Sequence, residues 1–177
     1  MTSIRTRGPL GLLLVAALAL PLTALTATSA IAEDGPGGDA PALEDVTVPW
    51  VLDFNAAKAK AKAENKHLLI NFTGSDWCGW CMRLEAEVFS KPEFIEKGPE
   101  HFVFVYLDSP RRDAEAMAKV KDKALIEKLF QEYGCRGWPS ILVTFADGTP
   151  YGRTGYKPGG PEEYLKHLAD LKSGGAK

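Results

Sequence analysis

What this chain lacks narrows what it can be. Charge of one sign is not in excess: 21 Lys and Arg stand against 23 Asp and Glu. That balance gives no electrostatic argument for a nucleic acid or an anionic membrane surface as partner. Cysteine is sparse, with three residues in 177, too few for a disulfide-dense miniprotein. There is no internal repeat and no collagen-like period. The composition, 45% hydrophobic and 25% charged, also excludes intrinsic disorder. An apolar run of bilayer length is missing too. The run from Leu10 to Leu20 is broken by Pro21, short of the roughly 20 residues a spanning helix needs. At ~100–200 residues per domain, the length suits one domain plus a short appendage.

What is present begins with an address. Arg5 and Arg7 precede the short apolar run, small residues follow, and Ala30-Ile31-Ala32 offers an A-x-A cleavage site before Glu33. This pattern predicts a secretory signal peptide over 1–32 and a protein that is periplasmic or secreted after cleavage. With no cysteine near the cut, a lipidated N-terminus is not expected. Without residues 1–32, 19 basic residues face 23 acidic ones, a formal charge of −4. All three cysteines survive, in a compartment where disulfides form and persist. Residues 33–45, rich in Gly, Pro, Asp and Ala, read as a flexible leader, and 46–177 as one domain.

Within that domain, hydrophobic periodicity predicts the order α-β-α-β-α-β-β-α. An amphipathic helix spans Trp50 to Glu64, and a strand follows from His67 to Phe72. A second helix runs from Cys78 to Phe89, and Phe102 to Leu107 reads as a strand buried on both faces. Residues 113–133 are helical in spacing. Ile141 to Phe145 and Tyr151 to Tyr156 flank Asp147-Gly148, a hairpin signal, and a last helix covers Pro161 to Leu171. The expected fold class is α/β, with a mixed central sheet of about four to five strands and helices on both faces.

The chemistry is carried by Trp77-Cys78-Gly79-Trp80-Cys81, placed between a strand and a helix. A sulfur at a helix N-terminus meets unpaired N–H groups and the positive end of the helix dipole, which favour the thiolate. Cys78 is therefore expected to be exposed and reactive. Cys81, one turn on, is expected deeper and placed to attack a mixed disulfide formed at Cys78. Other readings of the pair remain open. A structural disulfide gains little from closing so short a loop. A zinc site would have to recruit Cys135 and a histidine from His67, His101 or His167, since there is no second C-x-x-C. Covalent haem would require His where Met82 stands.

A second motif, Tyr133-Gly134-Cys135-Arg136-Gly137-Trp138-Pro139-Ser140, leads directly into the third strand. Pro139 reads either as a simple strand-start proline or, given the upstream WCxxC, as the second residue of a cis Trp138–Pro139 bond beside the cysteines. Together, WCGWC and YGCRGWPS resemble the active-site motif and cis-proline segment of the thioredoxin-fold superfamily, over roughly residues 46–172. Within it, FTGSDWCGWCMRLEAEVFSKPEF is similar to exported thioredoxin-like proteins and to the C-terminal domain of the bacterial thiol:disulfide interchange protein. The resemblance implies Cys78 as nucleophile, Cys81 as resolving thiol and Pro139 as the cis-proline at a substrate groove. Gly79, Trp77, Trp80 and Trp138 complete the expected substrate-contacting set.

The chain also departs from the pattern. Where thioredoxins pair a buried Asp with a Lys, it has Asn71 and Tyr106, neither of which supplies a base near neutral pH. Glu85, one turn beyond Cys81 and matched by a Glu in the interchange-protein domain, is expected to accept the Cys81 proton; the alternative is a solvated helix-face Glu. Trp80 replaces the proline of thioredoxin and is expected to be an exposed docking residue. Asp76 reads as a turn or cap residue. Cys135 reads as a small buried hydrophobe or as a third thiol.

The expected function is an exported thiol–disulfide oxidoreductase leaning towards reductase, with no metal or organic cofactor. Its expected partners are protein thiols and disulfides and a redox donor or acceptor protein, with no nucleic acid. It is expected to be a monomer and off the membrane after signal cleavage. The alternatives are a non-enzymatic partner-binding module, or a metal-handling protein using Cys78, Cys81 and Cys135.

Overall fold

The structure, a computed structural model, describes residues 47–175. The signal peptide read over 1–32 and the leader read over 33–45 lie outside the described residues. The apolar runs form a four-stranded mixed sheet. Strand β1 (His67–Thr73) pairs in parallel with β2 (Phe102–Asp108), His67 opposite Phe102 and Thr73 opposite Asp108. On its other side β1 pairs antiparallel with β3 (Ser140–Thr144), which in turn pairs antiparallel with β4 (Pro150–Thr154). The order is β2-β1-β3-β4. The Asp147-Gly148 turn closes the β3–β4 hairpin as its sequence predicts, Gly148 adopting a φ of 95° that suits a residue without Cβ.

Helix boundaries follow the capping chemistry more closely than the hydrophobic period. Helix α1 (Phe54–Ala63) starts four residues later than expected, because Asp53 caps it by accepting the Ala56 N–H at 2.9 Å. Trp50 and Val51 stay extended instead. The Val51 N–H donates to the Phe104 carbonyl and the Val51 carbonyl accepts from Tyr106, while Trp50 packs against Phe89, Phe104 and Tyr106. Helix α2 (Gly79–Leu84) passes into a π turn (Glu85–Phe89), in which the Ser90 N–H reaches back five residues to the Glu85 carbonyl. A further helix, α3 (Pro92–Lys97), opens on Pro92 and is too short to leave a periodic signal.

The single helix expected over 113–133 is two: α4 (Ala114–Lys119) and α5 (Lys123–Glu132). Asp113 and Asp122 each cap their own N-terminus, and Val120 between them is extended (ψ 110°). Helix α6 (Gly160–Gly175) is the last element among the described residues.

Alternation along the strands sends apolar residues to two cores. Leu68, Ile70 and Phe72 join α1 and α5 on one face. Leu69, Ile141 and Val143 join α2, the π turn, α3 and α6 on the other. Asn71, two residues after Leu69, falls by this parity on the α2 face, and so does Tyr106, two after Phe104. Among the described residues, no helix is long and apolar enough to cross a membrane.

Candidate active site

Strand β1 hands the chain to a four-residue turn, and α2 begins directly after Cys78. Cys78 is the N-cap of that helix: its backbone is extended, and its Sγ accepts the Cys81 N–H at 3.2 Å. The two cysteines are joined as a disulfide, with Cα atoms 5.2 Å apart. A backbone donor thus points at Cys78 Sγ, and such a donor at a helix N-terminus favours a thiolate. The expected contrast in exposure is absent, however. Cys78 is 6% exposed and Cys81 4%, because Cys78 Sγ is folded back over the first turn onto the Cys81 amide. Gly79 beside it faces open space.

The second motif reaches the same place from β3. The Trp138–Pro139 peptide is cis. Ser140, the first residue of β3, lies opposite Phe72 near the end of β1, which sets Pro139 beside the turn that carries Cys78. The Trp77 and Trp138 rings meet edge to face, with centroids 5.7 Å apart, and Trp138 stacks on Phe130 at 4.7 Å. Two motifs far apart in sequence therefore share one surface.

Trp80 is 55% exposed, as expected, yet it is held. Its ring lies 5.1 Å from that of Tyr156, and the Arg83 guanidinium sits 5.6 Å and 5.2 Å from the two centroids. Glu87 fixes the arrangement, accepting from Arg83 Nε at 2.7 Å and from the Tyr156 hydroxyl at 2.6 Å. Sequence reading missed Arg83, Glu87 and Tyr156. The i, i+4 spacing of Arg83 and Glu87 was visible, but nothing local could link either to Tyr156.

Glu85 stands one turn from Cys81, its N–H donating to the Cys81 carbonyl. Its carboxyl is mostly buried, and burial pushes its pKa above the ordinary carboxylate value. Asn71 and Tyr106 prove to be direct strand partners. Tyr106 is held as a neutral phenol, first by burial and then by the carboxylates of Asp108 and Glu85. Asn71 is 2% exposed, and its Oδ1 has no hydrogen-bond partner among the described residues. Neither is a base, which leaves Glu85 as the ionisable group one turn from Cys81.

Asp76 corrects the reading of it as a local turn or cap. Its carboxylate accepts the backbone N–H groups of Arg111, Arg112 and Asp113 at 2.5–3.0 Å, clamping the loop after β2 to the turn before Cys78. Ser75 adds its N–H and hydroxyl to Asp108 at 2.9 and 2.6 Å, and the Trp77 indole donates to the Ser109 carbonyl at 2.7 Å. Desolvation alone would raise the Asp76 pKa. The amides of Asp113, Arg112 and Arg111 together outweigh it and hold the carboxyl below its ordinary value.

A depressed carboxyl pKa stabilises the fold above the unfolded value, about 4, and that contribution is lost as pH falls through the folded value. Asp76→Ala is therefore expected to melt at a lower temperature than the parent at pH 7, with the difference shrinking at pH 3. Thermal melts at the two pH values check this, and an equal gap at both would contradict it.

Cys135 is a free, buried thiol in the core that holds Phe72 and Leu142. The Arg153 Nη1 lies 3.6 Å from its sulfur while that guanidinium also donates to the carbonyls of Gly134 and Tyr133. Among the described residues, no three His, Cys, Asp or Glu side chains come together as a metal-binding set.

Comparison with known proteins agrees with this geometry. Residues 54–172 match the thioredoxin-like domain family. The chain is 28% identical over 115 residues to the disulfide bond reductase DsbH of Chlamydia pneumoniae, covering 65% of this chain and 68% of that protein. A shorter stretch of 62 residues is 40% identical to the thioredoxin-related protein DsbJ of the same organism, covering 35% of this chain and 18% of that protein. Among solved structures, the DsbH oxidoreductase superposes with a TM-score of 0.60 at 23% identity, covering 82% of this chain and 94% of that one. With two-thirds of its length matched and the cysteine pair, cis-proline and mixed sheet all in place, the chain belongs to the thioredoxin-like domain family.

Proposed function

We propose that this protein is an exported thiol–disulfide oxidoreductase that works as a reductase through Cys78 and Cys81. The oxidoreductase activity itself rests on family membership, the Cys78–Cys81 disulfide and the relationship to a protein named as a disulfide bond reductase. The observation that carries the assignment of roles is the placement of Cys78 Sγ at the N-cap of α2, accepting the Cys81 amide. In the reduced protein the Cys78 thiolate attacks one sulfur of a client disulfide. A Cys78–client bond forms, and the other client sulfur leaves as thiolate. Cys81, its proton taken by Glu85, then attacks Cys78 Sγ. The second client thiol is released, and two electrons have passed to the client. The Cys78–Cys81 disulfide that results is reduced again by a donor protein thiol, so no metal or organic cofactor enters the cycle.

Trp77, Trp80, Trp138 and the backbone around cis-Pro139 form the surface on which a client segment rests. The basic, apolar and small-residue pattern of 1–32 supports export as the location. Direction is tested by equilibrating the pair against glutathione or dithiothreitol. C-x-x-C proteins span about −270 to −120 mV, and a reductase is expected nearer the lower end, below about −200 mV. A potential near −120 mV would instead make the protein an oxidant.

A further inference from the structure

Trp80 is exposed and yet fixed in place. It stands on the first turn of α2, between Cys78 and Cys81, and is 55% exposed. An exposed side chain on a short helix is free to change rotamer unless something packs against it. Here the Tyr156 ring lies 5.1 Å away, and the Arg83 guanidinium sits over both rings at 5.6 and 5.2 Å. Glu87, inside the π turn, ties both neighbours through one carboxylate. Its Oε1 accepts from Arg83 Nε and its Oε2 from the Tyr156 hydroxyl.

The far end of this contact is anchored too. The carbonyl of Gly155, next to Tyr156, accepts the hydroxyl of Tyr164, a residue 1% exposed in the core. A Cβ on Gly155 would stand 3.1 Å from the Pro139 carbonyl oxygen, so this segment runs against the cis-proline. Trp80 is thereby tied from the turn that carries the cysteines to the chain beside cis-Pro139. Arg83 and Glu87 offset each other's charge, and the exposed part of Trp80 is a ring suited to apolar groups. The Tyr156 hydroxyl first, and Arg83 after it, hold the Glu87 carboxyl below its ordinary value, and the same bond raises the Tyr156 phenol. Acceptor and donor therefore both keep their forms at neutral pH.

A side chain that is already ordered binds without the entropy cost of being ordered by its partner. We propose that Glu87 and Tyr156 are positioning residues for client binding: they hold the Trp80 indole in one orientation, as a shelf for an apolar side chain next to the client's reacting cysteine. The proposal rests on the oxidoreductase reading and names the part of the client that is read. Its effect falls on the binding of the client and not on the exchange between sulfurs.

The test uses disulfide-linked dimers of one short peptide that differ only in the residue beside the cysteine, Phe or Ser. The chemically reduced protein, freed of reductant, reduces each in a single turnover. The dependence on dimer concentration separates the half-saturating concentration, which reads binding, from the limiting rate, which reads the chemistry. In the parent the half-saturating concentration of the Phe dimer is expected to be about tenfold below that of the Ser dimer, as for a tryptophan that anchors an interface. Tyr156→Phe keeps the ring and loses the hydrogen bond, and Glu87→Ala removes the acceptor. Each is expected to raise the Phe-dimer value by about threefold, the scale of freeing one side chain. Trp80→Ala is expected to raise it by about tenfold, and adding Tyr156→Phe to Trp80→Ala is expected to raise it no further. That non-additivity is the signature of a residue acting through Trp80, which a merely structural role would not give. An unchanged value in either Tyr156→Phe or Glu87→Ala would overturn the proposal. So would equal values for the two dimers in the parent, a loss confined to the limiting rate, or a further loss on adding Tyr156→Phe to Trp80→Ala. Failure of the parent to reduce either dimer would overturn the oxidoreductase reading itself.

Discussion

Cys78→Ser is expected to take catalysed reduction of a protein disulfide down to the uncatalysed rate, while Cys81→Ser stops the reaction one step later with client protein attached. The two outcomes differ because the sulfurs have different jobs. A serine at 78 cannot form the mixed disulfide, so nothing accumulates. A serine at 81 leaves the attacking sulfur intact and removes the one that releases the client. Loss of fold is not the expected cause in either variant. The bond closes a loop with a sequence separation of 3, and the chain-entropy relation gives so short a loop only about 2 kcal/mol. The surrounding core, with Phe72, Leu84 and Phe89 fully buried, supplies apolar burial of its own. Steady-state turnover with non-reducing electrophoresis reads both results. Turnover by Cys78→Ser equal to the parent would remove the enzyme reading and favour a module that binds partners without chemistry.

Glu85→Gln is expected to slow the resolving step by about 10²-fold, the low end for positioned general acid–base groups, while the first attack by Cys78 proceeds. The reasoning starts from burial, which raises the Glu85 pKa and brings it nearer to a working base at neutral pH. The sign of the stability effect is opposite. A carboxyl whose folded pKa lies above its unfolded one stabilises the fold fully below the unfolded value and loses that contribution as pH rises through the folded value. Wherever Glu85 is ionised its buried charge is thus a burden, and glutamine relieves it. The variant should be slower yet melt at the same temperature or higher, a divergence that a merely structural role would not produce. Rapid-mixing measurements of mixed-disulfide decay against pH check it. An unchanged rate and pH profile would return Glu85 to an ordinary place on the helix.

Much of this is legible in the sequence, for a physical reason. Features fixed by neighbours in sequence can be read there. The cap at Cys78, the turn at Asp147-Gly148, the proline entering β3 and the apolar strands are all local chemistry. Even the late start of α1 was written in Asp53, and the break between α4 and α5 in Asp122, although hydrophobic spacing spoke for longer helices. What stayed hidden is made by the fold. The Asp76 carboxylate finds its amides 35–37 residues away. Tyr156 meets Glu87 across 69. The exposure expected of Cys78 failed because burial depends on what folds over a sulfur, and no spacing rule encodes that. Asn71 and Tyr106 were correctly denied a base role on residue type alone, but only the register of β1 and β2 makes them direct partners.

The central claim is that Cys78 is the sulfur that meets the client. Its most direct test is to trap the mixed disulfide with Cys81→Ser, digest it without reduction and identify the linked peptides by mass spectrometry. The account predicts a client cysteine joined to the peptide containing Cys78 and none joined to the peptide containing Cys135. Linkage through Cys135, or no linkage to either, would contradict it.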